Sequence, residues 1–386
     1  MQLPPLALYV HIPWCVRKCP YCDFNSHALR EAEPPEHDYV TALLADLERQ
    51  LPHVWGRTVH SVFIGGGTPS LFSATAIDAL LSGIRARLTL HPDAEITLEA
   101  NPGSVEIDRF RDFRTAGINR LSIGVQSFSD RQLTALGRIH DRREAIAAAE
   151  TAHAVGFENL NIDLMHGLPG QNIGDACGDL RQAIALSPSH LSWYQLTLEP
   201  NTLFHARPPD LPDDDIVAGI EDAGFVLLAE AGYARYEISA FARNGQRSRH
   251  NLNYWSFGDY LGIGAGAHGK LTDGATSTVR RYQKPRHPND YLRTPGAELE
   301  VRTLDRDDLV FEFMLNALRL VDGVPAHWFP ARTGLPPNAL EPAYGQAVAE
   351  GLLDVDRTRI RPTAHGLRFL NDLQARFLDT ASCSTN

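Results

Sequence analysis

Short apolar runs alternate with longer amphipathic stretches over the first half of the chain, and this alternation limits the folds open to it. The runs LALYVHI (6–12), SVFIG (61–65), EITLEA (95–100), RLSIGV (120–125), NLNIDLM (159–165) and LSWYQL (191–196) read as strands. Between them lie helical patterns such as DYVTALLADLERQL, ATAIDALLSGIRARL and REAIAAAETAHAV. In the last, Ile146, Ala149, Ala152 and Val155 recur every three residues, near one helical face. Repeated strand–helix units build a parallel sheet with helices packed outside it. Six such units fit an α/β partial (β/α)6 barrel better than an open sheet. Barrels of this kind carry their reactive groups at the C-terminal ends of the strands. Cys15–Cys22, Gly65–Ser70, Glu99–Pro102, Gln126 and Asp163–Pro169 all fall at such ends.

The pattern breaks at 286–298, a stretch rich in Pro, Gly and polar residues that reads as a linker. The expected division is therefore 1–285 for the barrel domain and 286–386 for a small C-terminal domain. In the latter, DDLVFEFMLNALRLV predicts a helix, LLDVDRTRIRP a strand pair turning at Asp-Arg-Thr, and HGLRFLNDLQARFL a last helix. That order suggests an α+β, winged-helix-like module. Such modules often bind DNA, but residues 301–386 carry 9 Lys and Arg against 11 Asp and Glu, which favours a structural or docking role. The net charge of -11 likewise argues against broad binding to nucleic acid or an anionic membrane. No stretch approaches the roughly 18 apolar residues of a spanning helix. The N-terminus lacks the basic and apolar segments of a signal peptide. A soluble, cytoplasmic protein is expected; its oligomeric state is left open.

Of five cysteines, Cys15, Cys19 and Cys22 fall within eight residues, while Cys177 and Cys383 stand far away. An odd, clustered set makes a poor disulfide framework and a good metal site. Cys15-Val-Arg-Lys-Cys19-Pro-Tyr-Cys22 is a C-x3-C-x2-C loop directly after a strand. Thiolates suit iron–sulfur clusters and zinc. A closed zinc site needs a fourth ligand, which His11 or His27 offers. On a four-iron cluster, three thiolates leave one iron with an open position. Gly65-Gly66-Gly67-Thr68-Pro69-Ser70 closes the second strand, where glycines also serve ordinary tight turns. Glu99 closes the third in LEANPG, either as a ligand for ribose hydroxyls or an ammonium, or as a helix-capping acid.

The cysteine spacing is that of the radical S-adenosylmethionine (SAM) superfamily. From Tyr9 to about Gly269 the chain resembles the oxygen-independent coproporphyrinogen III oxidase group, on YVHIPWCVRKCPYCDF, FIGGGTPS, EANP, GVQSF, LGRIH, NIDLMHGLPGQ and YEISAFAR. The resemblance implies a [4Fe–4S] cluster on Cys15, Cys19 and Cys22. It implies SAM at Tyr9, Gly66 and Glu99, with Tyr21 near adenine and Gly67, Thr68, Gln126, Arg138 and Asp163 completing the site. Gln126, Arg138 and Asp163 suit the polar ends of an adenosyl sulfonium, yet each is also a plausible barrel-rim residue. True oxidases continue the cysteine motif with -x-Cys, where this chain has Phe24, and they carry a longer N-terminal part. Both departures match the HemW-type haem chaperones, as does Arg249-His250-Asn251-Leu252-Asn253-Tyr254-Trp255, which fits HNxxYW.

Three functions follow as alternatives. The chain is a haem carrier that passes haem to acceptor proteins, or an oxygen-independent coproporphyrinogen III oxidase, or another radical SAM enzyme of porphyrin metabolism. A cluster alone does not choose, because the radical chemistry belongs to the cofactor. The chaperone reading is favoured, with no catalytic residue assigned. It makes His250 the haem ligand, Tyr254 and Trp255 packing partners of the porphyrin, and Arg247 or Arg249 partners of its propionates. His268, in GIGAGAHGK, is the rival ligand; His11 and His166 are weaker ones.

Overall fold

The computed structural model describes residues 1–29 and 33–378. All six expected strands form: β1 (Leu6–Ile12), β2 (Thr58–Gly66), β3 (Thr89–Ala100), β4 (Arg120–Gln126), β5 (Asn159–His166) and β6 (His190–Gln195). They pair in parallel in chain order, with Leu8 beside Val62, Leu98 beside Leu121 and Ile162 beside Leu191. Each leads to a helix: α1 (Glu36–Val54), α2 (Ala74–Arg85), α3 (Ser104–Ala116), α4 (Arg142–Ala154), α5 (Ile173–Ala185) and α6 (Asp214–Glu230). Local chemistry marks where several begin. Ser73 caps α2, and α4 and α5 open on reciprocal capping boxes, Asp141 with Glu144 and Asn172 with Asp175.

The period of two along the strands divides the molecule. Leu6, Leu8, Val10 and Ile12 of β1 pack outward into the core beneath the helices, joined by Val62, Ile64, Leu98, Ile123 and Ile162. The alternate positions, including Tyr9, Glu99, Ser122 and Asp163, face the concave side. This is the α/β partial barrel the sequence predicts.

Beyond it the sheet keeps growing, which the sequence pattern did not reveal. β7 (Ala234–Glu237) and β8 (Ala240–Ala242) add antiparallel strands beside β6. β9 (Asp259–Ile263) lies parallel to β1, and β10 (His268–Asp273), β11 (Thr278–Gln283) and β12 (Leu299–Thr303) follow in antiparallel order. Among the described residues this is one twelve-stranded sheet. The stretch 286–298, expected to be a linker, instead carries the helix Pro288–Arg293, and β12 still belongs to the main sheet. Its helix is anchored by Tyr291, whose hydroxyl donates to Asp46 of α1, itself paired with the buried Lys284.

The segment Arg249–Trp255, which holds HNxxYW, is a helix, α7. Its first N–H groups, those of Arg249 and His250, donate to the Glu95 carboxylate at 3.1 Å each. An acid at a helix N-terminus satisfies donors that have no partner within the helix. Glu95 lies four residues before Glu99 on β3, so α7 plugs the N-terminal end of the barrel, away from the cysteines.

The C-terminal part begins with α8 (Arg306–Ala317). The expected strand pair is reduced to one bridge, Leu353 to Pro362, across the turn at Asp356-Arg357-Thr358, while Arg359–Ile360 pairs instead with Val324–Pro325; the last helix is broken at Phe369 into 364–368 and 370–375. Its apolar core, with Phe313, Phe329 and Leu373, also takes in Phe257 and Val279 of the larger part. Cys383 lies outside the described residues. Among those described, no helix is long and apolar enough to cross a membrane.

Candidate radical SAM site

The cysteine loop starts from a two-residue strand, Trp14–Cys15, paired in parallel with His27–Ala28. The loop is therefore closed on itself, and it is tied to the glycine loop: Gly67 N–H donates to the Ile12 carbonyl and Thr68 N–H to that of Trp14. The glycines permit this approach. A Cβ at Gly67 would sit 2.5 Å from the Trp14 carbonyl oxygen, and Gly66, at φ +116°, would drive one into the His11 ring at 2.6 Å.

Cys15 is buried, whereas Cys19 and Cys22 are partly exposed. Arg138 points Nη1 at Cys19 Sγ (3.7 Å), and the Ser26 hydroxyl lies 3.7 Å from Cys22 Sγ. Such donors suit sulfur that carries negative charge. Among the described residues no three Cys, His, Asp or Glu side chains converge on a point that would hold a single ion. A four-iron cluster does not ask them to, since each thiolate meets a different iron.

The three thiols open on a cleft of about 320 Å³, of the size of small-ligand sites. Tyr21, Gly66, Gly67, Thr68, Glu99, Gln126, Arg138 and Asp163 line it as well. Eight of the residues expected to hold SAM are thus brought together from four strands and three loops. Gly66 N–H donates to Glu99 Oε2 (3.1 Å). Burial pushes the Glu99 carboxyl up to about 8, with the nearby Asp163 charge adding to the rise. Asp163 accepts from Ser122 Oγ (3.1 Å) and Asn161 Nδ2 (2.8 Å), and burial raises it too. Two acids held in a shared cleft favour a cationic, hydroxyl-bearing ligand. Arg138 donates to Asn101 Oδ1 (2.6 Å) and the Gly124 carbonyl (2.7 Å). Gln126 sits at φ +71°, rare for a residue with a side chain, and its Oε1 accepts from the Tyr194 hydroxyl at 2.7 Å. Asn101 and Tyr194 complete the lining but were not singled out from the sequence. Tyr194 carried a usable signal, an inward position near the end of the sixth strand.

A second cavity, of about 480 Å³, adjoins the first and shares Phe24, Gly66 and Glu99 with it. Tyr9 lines this one, beside Phe63, Tyr254, Tyr260 and His268. The Tyr9 hydroxyl donates to His11 Nδ1 (2.9 Å), because His11 Nε2–H is given to the Asn25 carbonyl (2.8 Å).

His250 reaches neither cavity. It is 1% exposed at the barrel floor, its Nδ1 bonded to Ser61 Oγ (3.0 Å) and its ring covered by Phe63 and Tyr254 at 5.0 and 4.8 Å between centroids. Arg247 and Arg249 are spent at the same closed end, on Asp322 and on the Asp93 carbonyl. Trp255 packs under Arg319 of the C-terminal part. The polar residues around His250 lie at the start of α7, whose first N–H groups are capped by Glu95.

Comparison with known proteins agrees with this geometry. The radical SAM superfamily profile matches residues 9–183, and the HemN C-terminal domain profile residues 304–369. The heme chaperone HemW of Escherichia coli is 54% identical over 98% of this chain and 99% of its own length. The chain belongs to the HemW family. Another HemW relative, from Mycobacterium tuberculosis, is 38% identical over 97% of this chain and 95% of its own. Among solved structures, coproporphyrinogen III oxidase (HemN) from Escherichia coli, a radical SAM enzyme, superposes with a TM-score of 0.82 at 26% identity, covering 98% of this chain and 91% of that one. Membership in the superfamily implies a [4Fe–4S] cluster and SAM as cofactors.

Proposed function

We propose that this protein is a cytoplasmic haem chaperone, which binds haem and passes it to acceptor proteins while carrying a SAM-coordinated [4Fe–4S] cluster. The observation that carries this reading is the aromatic-walled cavity beside the cysteine cleft, walled off from it in part by Phe24. An apolar wall of Tyr9, Phe63, Tyr254 and Tyr260 suits a flat macrocycle. The full-length kinship with proteins named heme chaperones supports the same reading.

Cys15, Cys19 and Cys22 would hold the cluster. Gly66, Gly67, Thr68, Glu99, Gln126, Arg138 and Asp163, with Tyr9 and Tyr21 at the edges, would hold SAM. When bound and reduced, the cluster supplies one electron to SAM. The chain's own residues bind and orient: Glu99 and Asp163 offer acceptors to hydroxyls and cations, and Arg138 steadies the Cys19 sulfur.

The test uses anaerobically reconstituted protein. It should take up haemin with a defined Soret band, pass it to an apo-acceptor, and leave coproporphyrinogen III unchanged in the presence of SAM and reductant. Decarboxylation of coproporphyrinogen would replace this reading with that of an oxidase, the activity of the structural relative. Cys15→Ala, Cys19→Ala or Cys22→Ala should each abolish cluster iron, whereas Cys177→Ala, changed on the remote helix α5, should not.

A further inference from the structure

We infer that His140 and Asp179 are positioning residues of the SAM cleft: together they clamp the backbone on both sides of Gln126 and so hold its amide toward the ligand. The inference rests on the reading of that cleft as the SAM site, and it goes beyond the cleft's lining, to which neither residue belongs.

Gln126 ends β4 at φ +71°, a conformation that a residue with a side chain keeps only where its surroundings impose it. The pairing of β4 with β5 slips at this point. Gly124 faces Asp163 and Gln126 faces Leu164, so Val125 is an extra residue without a place in the ladder. Two side chains from one turn take up the carbonyls that precede Gln126. Arg138 donates to that of Gly124, and His140 Nε2 donates to that of Val125 at 3.0 Å. His140 is 4% exposed, and its Nδ1 has no partner among the described residues, so the bond to Val125 is the ring's polar contact. Burial, and then the Arg138 charge, bring its pKa down to about 4. The ring is therefore neutral, and its one N–H is the one given to Val125.

The residues after Gln126 are held by a different element. Asp179 of α5 is buried, and it accepts from the Ser127 hydroxyl at 2.7 Å and the Phe128 N–H at 2.8 Å. A buried carboxylate is costly unless such donors meet it, and here each oxygen has one. With the backbone fixed on both sides, the Tyr194 hydroxyl takes Gln126 Oε1, which leaves the Nε2 hydrogens without a partner among the described residues. They are the donors that a hydroxyl or carboxylate oxygen of SAM would meet. The same turn also reaches the cysteines. A Cβ at Gly137, at φ +68°, would lie 2.9 Å from Pro20 Cδ, and Arg138 points at Cys19 Sγ. Residues 137–140 therefore tie the position of Gln126 to that of the cluster loop.

The experiment is an anaerobic calorimetric titration of the cluster-loaded protein with SAM, with iron content measured on each variant. His140→Leu fills the space and removes the donor, whereas Asp179→Ala removes both acceptors. Each should weaken SAM by about tenfold while the iron content stays that of the wild type. His140→Gln, which can still donate to the Val125 carbonyl, should bind within about twofold of the wild type. In a Gln126→Ala background neither change should weaken SAM further, because both act through that residue. A merely structural role makes the opposite demand: the same loss with or without Gln126, and no rescue by glutamine. Either of those results, or wild-type affinity in His140→Leu or Asp179→Ala, overturns the clamp. Should one of these two variants fail to load its cluster, the other carries the same test. A wild-type protein that binds no SAM, or a Gln126→Ala variant that binds it as tightly as the wild type, overturns instead the site assignment on which the clamp rests.

Discussion

At neutral pH the Glu99 carboxyl is mostly protonated, because its pKa is raised to about 8. A cationic, hydroxyl-bearing ligand prefers the ionised form, so SAM binding should release a proton. Affinity should therefore rise as pH goes from 6 to 8, with a limit of about tenfold per pH unit, and level off above the raised pKa. Titration calorimetry in buffers of different ionisation enthalpy measures this release directly. Glu99→Gln should bind SAM weakly at every pH and lose the proton release. If the variant kept the wild-type slope, another group, Asp163 foremost, would be the one that titrates. Gln126 is a second residue where strain and function coincide. Its left-handed backbone turns the side chain to the Tyr194 hydroxyl, a geometry that no spacing rule marks in advance.

At the scale of elements, the glycine loop is the most exacting piece. Gly67→Ala puts a methyl group onto the Trp14 carbonyl, which must move and take the Cys15 strand with it. The expected result is a loss of about 1–3 kcal/mol in chemical denaturation and impaired cluster loading. Wild-type stability with full iron content would mean that the loop yields more easily than its packing implies. The six parallel strands were legible as short, nearly continuous apolar runs between amphipathic helical stretches, the pattern of strands buried on both faces. The antiparallel additions were not. β7 and β8 are only four and three residues long, and β10 and β11 are short, rich in polar and charged residues, and lack a regular alternation. HNxxYW pointed to the right family, but what its residues do within the fold was hidden for a different reason. Its asparagines and charges satisfy helix ends and buried backbone, as when Asn253 Nδ2 donates to the Asp259 carbonyl, and sequence alone does not separate such a role from ligand binding.

For the whole molecule, the long sheet has two ends of unequal character. One closes against the C-terminal part, where Glu237 of β7 is bridged to Leu320. The other ends in β12, whose five residues are all exposed, with Leu299 and Val301 half in solvent. Such an edge is an invitation to polymerise, since its free peptide groups can template another chain. A kink stands guard over it. Glu300 adopts φ +52°, the pairing with β11 slips nearby, and Arg302 is drawn aside by Asp308 and Glu312. Glu300→Val would remove the charge and favour an extended, apolar border, because a β-branched residue resists that backbone angle. Sedimentation should then reveal concentration-dependent self-association in the variant alone. A variant that sedimented like the parent at every concentration would show that the border is protected by something other than its bend.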